Sequence, residues 1–374
     1  MIECKDFFEL LSRRDINFYT GVPDSTLKDF CAYVTDNVDK EHHIITANEG
    51  GAIALASGYH LSTGKTALVY MQNSGLGNAL NPLVSLADPE VYNIPILLLI
   101  GWRGEPGKKD EPQHIKQGRI TLPLLSTLEI PCEILGDNLK EAEEIVNKAV
   151  SILKTGKSFA LVVRKGIFNK YQLKKGEKDS FNIEREQAIK LIAEKLGKND
   201  FIVSTTGKIS RELYEYRDEA NDGHENDFLT VGSMGHCSHI ALGIALAMTD
   251  KNIYCFDGDG SFIMHMGSLA INGATSAKNF KHIVFNNAAH DSVGGQPTVA
   301  GKIDIPGIAV ACGYKSTYKA TTLSELLQVI DDFILKDGPS LLEICVKKGA
   351  RDNLGRPKHK PSQIKNLFMN NIKK

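Results

Sequence analysis

Residues 253–287 read IYCFDGDGSFIMHMGSLAINGATSAKNFKHIVFNN, and this stretch indicates how the chain folds. Apolar runs typical of buried strands, at 253–256 and 282–285, flank a run in which apolar residues recur at helical spacing. We therefore predict a strand, a helix over 262–281 and a second strand. A strand, a helix and a further strand in this order form the repeating unit of a parallel sheet covered by helices.

Polar residues follow both of these strands. Asp259 stands between Gly258 and Gly260 after the first strand, and Asn287 follows the second. Because parallel strands end at one edge of their sheet, the carboxylate and the amide oxygen should share one crevice. The glycines permit close backbone approach to a ligand, and the next helix offers its amino end to an anion. This set of groups suits a Mg²⁺ ion bound to a phosphate.

Length and composition indicate two globular domains and a small-molecule partner. The chain has 374 residues, of which 42% are hydrophobic and 24% charged, and its formal net charge is −1. This balance argues against nucleic acid or a membrane as partner. The seven cysteines form no Cys-x-x-Cys pair, so we interpret them as reduced core residues. The first residues lack the pattern of a signal peptide, and we expect a cytoplasmic protein.

Short apolar runs alternate with helical patterns along both halves of the chain, which predicts an α/β fold with two doubly wound parallel-sheet domains. Strands are predicted at 17–20, 43–46, 67–71, 94–100, 132–135, 159–163, 201–204, 228–231, 253–256, 282–285, 314–317 and 340–344. A charged run at 174–180 places a linker at 169–183, between domains 1–168 and 184–348. The tail 349–374 is basic and contains prolines, and a solvated end fits it as well as a functional segment.

Gly-Asp-Gly, followed after 25 residues by Asn-Asn, resembles the cofactor motif of thiamine diphosphate-dependent enzymes. The resemblance implies a pyrimidine-binding-type domain followed by a diphosphate-binding-type domain, with thiamine diphosphate and Mg²⁺ as cofactors. The metal ligands that the resemblance implies are Asp259, Asn287 and the backbone carbonyl of Ala289. Many members have a glycine where this chain has Ala288 and Ala289, but a carbonyl ligand does not require glycine.

Glu49 is the candidate acid and base of the first half. It lies in Thr-Ala-Asn-Glu-Gly-Gly-Ala, residues 46–52, after a predicted strand and at the start of a small-residue helix. By itself, such a residue is a favourable charge at a helix amino end. With the second-half motif, it resembles the glutamate that the family places beside the cofactor's aminopyrimidine. A carboxyl group there assists removal of the proton from the thiazolium carbon.

Further segments resemble the cofactor-binding turns of the family. Met234 follows a predicted strand and is flanked by glycines, as is the bulky residue that supports the bent cofactor, although a core methionine remains an alternative. Lys208 stands where related decarboxylases have a small hydroxyl residue, so its role stays open. The turn at 73–78 resembles the cofactor-facing turn of the pyrimidine domain. The predicted cofactor-binding residues are Glu49, Thr206, Gly207, Gly232, Met234, Gly258, Gly260 and Ser261.

Within this family, segments 21–25, 101–114, 287–297 and 354–357 resemble the phosphonopyruvate decarboxylases, whose near relatives are the sulfopyruvate decarboxylases. The implied substrate residues are Asp24, Ser25, Arg103 and His114. The loop after the fourth predicted strand also carries Lys108, Lys109, Lys116 and Arg119. A solvated surface loop is the simpler interpretation of these charges, but a dianionic phosphonate requires basic partners.

The resemblance implies decarboxylation of 3-phosphonopyruvate to phosphonoacetaldehyde and CO₂, a step of 2-aminoethylphosphonate biosynthesis. His114, His290 or Asp24 would then protonate the product carbon. Alternatives are a sulfopyruvate decarboxylase, a 2-oxo acid carboligase and a non-catalytic binding subunit, and the last is disfavoured by the presence of Glu49, Asp259 and Asn287 together. Since the family builds its cofactor site from domains of two subunits, a homodimer or higher homo-oligomer is expected.

Overall fold

A computed structural model describes residues 1–175 and 181–374. The chain forms two compact units, Met1–Gly176 with Ser292–Gln296, and Glu177–Asp291 with Pro297–Lys374. Part of the linker predicted at 169–183 falls at 176–180, outside the described residues. None of the described helices is both long enough and apolar enough to cross a membrane.

The first unit is a six-stranded parallel sheet with helices. Its strands are β1 (Tyr19–Gly21), β2 (His43–Ile45), β3 (Leu68–Gln72), β4 (Leu97–Gly101), β5 (Cys132–Ile134) and β6 (Phe159–Val163). They lie in the order β2-β1-β3-β4-β6-β5. Its helices are α1 (Cys4–Ser12), α2 (Lys28–Asn37), α3 (Glu49–Thr63), α4 (Leu76–Pro82), α5 (Pro112–Thr127) and α6 (Leu139–Leu153).

Strand β4 illustrates why continuous apolar runs predict this sheet. Leu97 and Leu99 point into the hydrophobic cluster on one face of the sheet, and Leu98 and Ile100 into the cluster on the other. All four are fully buried, and each stabilises the unit by about 1.5–3 kcal/mol through removal of apolar surface from water. A strand with two buried faces cannot show polar alternation.

The second unit repeats this architecture. Its strands are β7 (Asp200–Ser204), β8 (Asp227–Leu229), β9 (Asn252–Gly258), β10 (Phe280–Asn286), β11 (Ser316–Ala320) and β12 (Ser340–Cys345). They form a parallel sheet in the order β11-β12-β10-β9-β7-β8, which is the strand order of the first unit. Its helices are α7 (Arg185–Lys195), α8 (Lys208–Ala220), α9 (Cys237–Ala247), α10 (Asp259–Met264), α11 (Ser268–Thr275), α12 (Ile305–Ala311), α13 (Leu323–Leu335) and α14 (Pro361–Ile372).

Every strand predicted from an apolar run is present, with ends shifted by at most three residues, so the predicted fold class is confirmed. The predicted helix over 262–281 is wrong. Two short helices, α10 and α11, occupy this stretch, and the left-handed backbone of Ser276, with φ 52°, ends the second. The strand predicted at 228–231 ends at Leu229, so Met234 lies in a turn rather than directly after a strand.

The tail is part of the second unit rather than a solvated end. Helix α14 begins with Pro361 at its first position, which suits a residue without an amide hydrogen. Ile364, Phe368 and Ile372 recur at helical spacing and are buried in the hydrophobic clusters of this unit. The apolar face of α14 therefore stabilises the second sheet.

Candidate active site

The predicted metal ligands of the second unit lie together. Asp259 is the buried first residue of α10, and its carboxylate accepts hydrogen bonds from Thr298 Oγ1, at 2.5 Å, and from the backbone amide of Asn287. Asn287 follows β10, and its Oδ1 accepts from the Ala289 amide at 3.0 Å. Ala289 in turn forms an antiparallel bridge with Pro297, so the loop after β10 folds back onto itself.

This donor set fits a hard divalent cation. Burial raises the pKa of Asp259 to about 6 despite the hydrogen bond from Thr298. A bound cation would offset that cost, because it favours the ionised carboxylate. The amide oxygen of Asn287 keeps a second lone pair beyond the bond from Ala289. Carboxylate, amide and backbone oxygens are ligands that suit Mg²⁺, and the assignment of Asp259, Asn287 and Ala289 as its ligands stays a prediction.

Met234, Gly260 and His290, which were predicted separately, converge in the structure. A Cβ atom on Gly260 would lie 3.2 Å from His290 Nδ1 and 3.4 Å from Met234 Cε. The distance to His290 is tighter than ordinary van der Waals contact and the distance to Met234 is at its lower limit, so a larger residue than glycine would require these side chains to shift. Burial lowers the pKa of His290 to about 4, and its imidazole is therefore neutral near pH 7.

Ser261 connects three turns of the second unit. Its hydroxyl accepts hydrogen bonds from the Gly235 amide, at 3.0 Å, and from Thr205 Oγ1, at 2.9 Å. Gly235 belongs to the turn that contains Gly232 and Met234, and Thr205 begins the turn that leads to α8. One hydroxyl thus holds the start of α10 against the two neighbouring turns.

The turn before α8 contains Thr206 and Gly207, and the backbone φ of Gly207 is 107°, a value that glycine tolerates and other residues rarely adopt. Gly258, at the end of β9, lies near the side chains of Thr205 and Ile209. Lys208 Nζ lies 2.9 Å from Asp291 Oδ2. The lysine whose role the sequence left open is therefore paired with an acid of the loop after β10.

In the first unit, Glu49 is buried at the start of α3. Asn78 Nδ2 donates a hydrogen bond to Glu49 Oε2 at 2.8 Å. A Cβ atom on Gly75 would lie 2.5 Å from Glu49 Oε1, so any other residue at this position would displace the carboxyl group. The turn 73–78 thus cradles the predicted acid and base. Asn78 was missed as a site residue because no periodicity or charge distinguishes it.

Asp24 follows β1 and lies buried beside the end of β4. Its carboxylate accepts from Gln72 Nε2 and from the Thr26 amide, both at 2.7 Å. A Cβ atom on Gly101 would lie 2.2 Å from Asp24 Oδ2, so the last residue of β4 must be glycine for this carboxylate to fit. Asp24 therefore has a fixed position, whatever its chemical role.

Arg103 is held by two of its neighbours. Its Nε and Nη2 donate to Asp110 at 2.9 and 2.5 Å, and its Nη1 donates to Ser25 Oγ at 2.8 Å. The hydrogen bonds that Arg103 donates to Asp110 raise the pKa of Arg103. Burial opposes ionisation of Asp110, but hydrogen bonds from Arg103 and two backbone amides hold the pKa of this carboxyl below its usual range.

The sequence did not predict that the charge of Arg103 is compensated by Asp110. Among the described residues, three of its five N–H groups have partners, which leaves two for a ligand. The other basic residues of this segment are exposed, and the loop predicted for it ends earlier than expected: Lys108 and Lys109 lie in the loop, whereas Lys116 and Arg119 lie on α5. Of the basic residues of this segment, Arg103 is the one for which the described part of the chain shows a hydrogen bond to Ser25.

His114 lies on the first turn of α5 and is nearly buried. Within residues 1–175 and 181–374, no hydrogen-bond partner is found for its buried Nδ1. Burial lowers the pKa of His114, and the nearby charge of Arg103 lowers it further, whereas Asp110 and Asp24 act in the opposite direction. This imidazole nitrogen is suited to a hydrogen bond with a ligand, since buried polar atoms are normally paired.

Comparison with known proteins agrees with this picture. The model of the thiamine pyrophosphate enzyme N-terminal TPP binding domain matches residues 4–121, and that of the C-terminal TPP binding domain matches residues 205–344. The matched ranges contain Glu49 and Arg103 in the first unit, and Asp259 and Asn287 in the second.

Three curated relatives are similar over nearly the whole chain. Phosphonopyruvate decarboxylase of Streptomyces viridochromogenes is 33% identical, over 98% of this chain and 94% of the relative. Phosphonopyruvate decarboxylase of Streptomyces hygroscopicus is 32% identical, over 98% and 93%. Sulfopyruvate decarboxylase of Methanosarcina acetivorans is 26% identical, over 91% and 90%.

The matched domain models and these relatives agree with the resemblance that the motifs indicated. The chain is a thiamine diphosphate-dependent decarboxylase and hence a carbon–carbon lyase. At this identity and coverage, it belongs to the phosphonopyruvate decarboxylase family of thiamine pyrophosphate enzymes.

Proposed function

We propose that this decarboxylase acts on 3-phosphonopyruvate, with thiamine diphosphate and Mg²⁺, and releases phosphonoacetaldehyde and CO₂ in phosphonate biosynthesis. The observation that carries the proposal is the group formed by Arg103, Ser25 and His114 at the carboxyl ends of the first sheet. It offers N–H donors and an unsatisfied imidazole nitrogen, which suit the oxygen atoms of a phosphonate. Similarity to two phosphonopyruvate decarboxylases supports the same substrate.

When bound, thiamine diphosphate supplies a carbon nucleophile for the keto carbon and a thiazolium ring that takes up the electron pair left on the substrate when CO₂ departs. Glu49 would hold a proton at the aminopyrimidine ring, and Asn78 fixes the carboxyl group for this task. Gly75 leaves room beside Glu49 Oε1. Met234 and Gly232 would support the cofactor rings.

The second unit would hold the charged end of the cofactor. Asp259, Asn287 and the carbonyl of Ala289 would bind Mg²⁺, which neutralises diphosphate charge. Thr206 and Gly207 would donate backbone hydrogen bonds to the diphosphate, and the proposed cofactor-binding residues of α10 and β9 are Gly258, Gly260 and Ser261. The hydrogen bonds of Ser261 hold the start of α10 against the turns of Gly235 and Thr205.

The product carbon needs a proton after CO₂ has left. His114, His290 and Asp24 are the proposed donors. His114 is neutral in the ligand-free protein, but a dianionic substrate would raise its pKa, because a nearby negative charge favours the imidazolium. A proton held at His114 would then be available at the end of the reaction.

A product assay tests the proposal. The protein is incubated with phosphonopyruvate, thiamine diphosphate and Mg²⁺, and the products are identified by mass spectrometry. We expect phosphonoacetaldehyde and CO₂, and no aldehyde when Mg²⁺ is chelated. Formation of a ketol with a second carbonyl compound would instead identify a carboligase.

Sulfopyruvate is the second candidate substrate, because the sulfopyruvate decarboxylase of Methanosarcina acetivorans is also similar over most of the chain. A sulfonate carries one negative charge, whereas a phosphonate carries up to two near neutral pH. If Arg103 and His114 bind the anion, catalytic efficiency for phosphonopyruvate should exceed that for sulfopyruvate and should rise as the second phosphonate proton is lost. Equal efficiencies would remove the basis for this substrate assignment.

We also propose that the active form is a homo-oligomer of at least two chains, since the family combines domains of two subunits. The test mixes two inactive variants, Glu49→Ala and Asp259→Ala, under conditions that exchange subunits. Mixed dimers should regain one intact site. No recovery after verified exchange would favour sites built within single chains.

A further inference from the structure

Asp291 lies at the centre of a group of charges in the second unit, in which Arg185 and Glu212 are buried and Asp291 and Lys208 are partly exposed. Its Oδ2 accepts from Lys208 Nζ at 2.9 Å and from the Gly349 amide at 3.0 Å, and it lies 3.7 Å from Arg185 Nη1. Arg185 forms a two-pronged pair with Glu212, with distances of 2.8 and 2.7 Å. The two cations and the two anions balance, so the four side chains together carry no net charge when all are ionised.

The partners of Asp291 belong to rigid parts of the second unit. Arg185 begins α7, Glu212 lies on α8, and both are nearly fully buried. Arg185 Nη2 also donates to the Gly349 carbonyl at 3.0 Å, so the same segment binds both Arg185 and Asp291. A loop residue tied to these elements has little freedom to move.

Asp291 lies close in sequence to the proposed metal ligands. Strand β10 ends at Asn286, and residues 287–290 separate it from Asp291. These four residues include both proposed oxygen donors of the loop, Asn287 and Ala289, and Ala288 between them has the left-handed φ of 54°. The loop is therefore held by the sheet on one side and by Asp291 on the other, with the proposed metal ligands between.

We propose that Asp291 is a positioning residue for the metal, and that Lys208 and Arg185 act through it. The inference rests on the proposed function, because it takes Asn287 and Ala289 as Mg²⁺ ligands. Lys208 lies directly after the turn of Thr206 and Gly207, so its ion pair joins the diphosphate-side turn to the metal-side loop. The lysine that replaces a small hydroxyl residue thus sets the spacing of two cofactor-binding segments.

The test compares Asp291→Asn, Lys208→Met and the double variant. Calorimetry at saturating thiamine diphosphate gives the Mg²⁺ affinity, and titration at saturating Mg²⁺ gives the cofactor affinity. We expect each single variant to weaken Mg²⁺ binding roughly 10- to 100-fold, as is typical for residues that orient metal ligands. The double variant should lose little more than either single one, because both remove the same ion pair.

Asp227→Asn is the matched control. Asp227 is buried and accepts from Arg217 Nε at 2.8 Å, so it also belongs to a buried Arg–Asp pair of the second unit, but it lies on β8. We expect this variant to lower the melting temperature while Mg²⁺ affinity changes by less than about twofold. If Asp291→Asn does not fold, Lys208→Met, whose side chain is partly exposed, carries the test.

Three results would overturn the inference. Mg²⁺ affinity in both single variants could match the wild type, which would make the pair purely structural. Lys208→Met could weaken cofactor binding while Asp291→Asn has no effect, which would mean that the lysine contacts the diphosphate itself. A wild-type protein that binds cofactor equally well without Mg²⁺ would overturn the proposed metal site, and the inference with it.

Discussion

The two units share one strand order and carry different chemistry. Counting along each unit, β1, β2, β3 and β4 correspond to β7, β8, β9 and β10. The segments that follow these strands in the first unit contain Asp24, Glu49, Asn78 and Arg103. The corresponding segments of the second unit contain Thr206, Met234, Asp259 and Asn287.

The difference shows how little a fold alone says about function. At matched positions, the first unit presents mainly titratable side chains, whereas the second presents mainly oxygen ligands, a thioether and backbone amides. Ligands of parallel sheets bind beyond the carboxyl ends of the strands in either case. The chemistry is set by a few side chains placed there, and not by the sheet. We therefore propose that substrate binding and most proton transfer belong to the first unit, with His290 as a candidate donor from the second, and that the second unit binds the metal and the diphosphate.

The largest expected effect comes from Glu49→Gln. The amide matches the size of the acid but cannot take part in proton transfer, so deuterium exchange at the thiazolium carbon should slow by about 10²- to 10⁴-fold. Cofactor affinity and melting temperature should change little. Glu41→Gln, at an exposed acid of the same unit, is the control. Unchanged exchange in Glu49→Gln would mean that Glu49 is not the activating acid.

Asp259→Ala, in the second unit, should weaken cofactor binding, which Glu49→Gln should leave nearly unchanged. It removes a proposed Mg²⁺ ligand, so metal-dependent cofactor affinity should fall by more than the roughly 10- to 100-fold typical for outer-shell residues. Calorimetry with thiamine diphosphate and Mg²⁺ measures this loss, with Asp250→Ala at an exposed position as control. Wild-type affinity at saturating Mg²⁺ would contradict the metal assignment.

Arg103→Ala tests whether the first unit also selects the substrate. Loss of charge-assisted hydrogen bonds should cost phosphonopyruvate about 2–4 kcal/mol in kcat/KM, while pyruvate should lose little. Arg164→Ala is the matched control, since Arg164 pairs with Glu105 of the same loop at 3.0 Å but is half exposed. Equal losses for both substrates would mean that Arg103 supports the loop without binding the phosphonate.

A smaller effect concerns the stability of the first unit. Burial lowers the pKa of His43 from 6.5 to about 4, and its Nε2 lies 2.8 Å from the Tyr70 hydroxyl. The unfolded chain binds this proton more readily, so the stability contributed by neutral His43 is lost as pH falls from 6.5 towards 4.

Urea unfolding at several pH values measures this contribution. His43→Gln should reduce the slope of stability against pH between 4 and 6.5 by up to about 1.4 kcal/mol per pH unit, the limit for one proton. His42→Gln, at the exposed neighbouring position, should leave the slope nearly unchanged. An equal change in both variants would contradict the role of burial.

Sequence patterns predicted the sheets well because buried strands leave a continuous apolar signal. Helix limits near the site were less predictable, since the run at 262–281 breaks after Met264 and its second helix, α11, ends at the left-handed backbone of Ser276. The burial of α14 also depends on tertiary packing: its apolar residues recur at helical spacing, but the sequence does not say which surface they cover. Local pattern therefore predicted the elements but not all of their ends.

The candidate site was predictable where a motif fixes the spacing and less so where a pair forms in space. Asp259 and Asn287 follow two apolar strands and could be found from the sequence. The pairing of Arg103 with Asp110, or of Lys208 with Asp291, could not, because charged loops offer many combinations of partners. The sequence therefore suggested a surplus of positive charge around Arg103 where the structure has a compensated pair.

That compensated pair has a consequence for how substrate reaches the enzyme. A guanidinium beside a carboxylate has almost no net charge at a distance, so it attracts anions weakly through the solvent. The remaining N–H groups of Arg103 act only on a ligand in direct contact, and the strength of those hydrogen bonds depends on their direction. Recognition would then depend little on ionic strength, and abundant simple anions such as chloride would compete poorly with a ligand whose oxygens match the direction of those N–H groups.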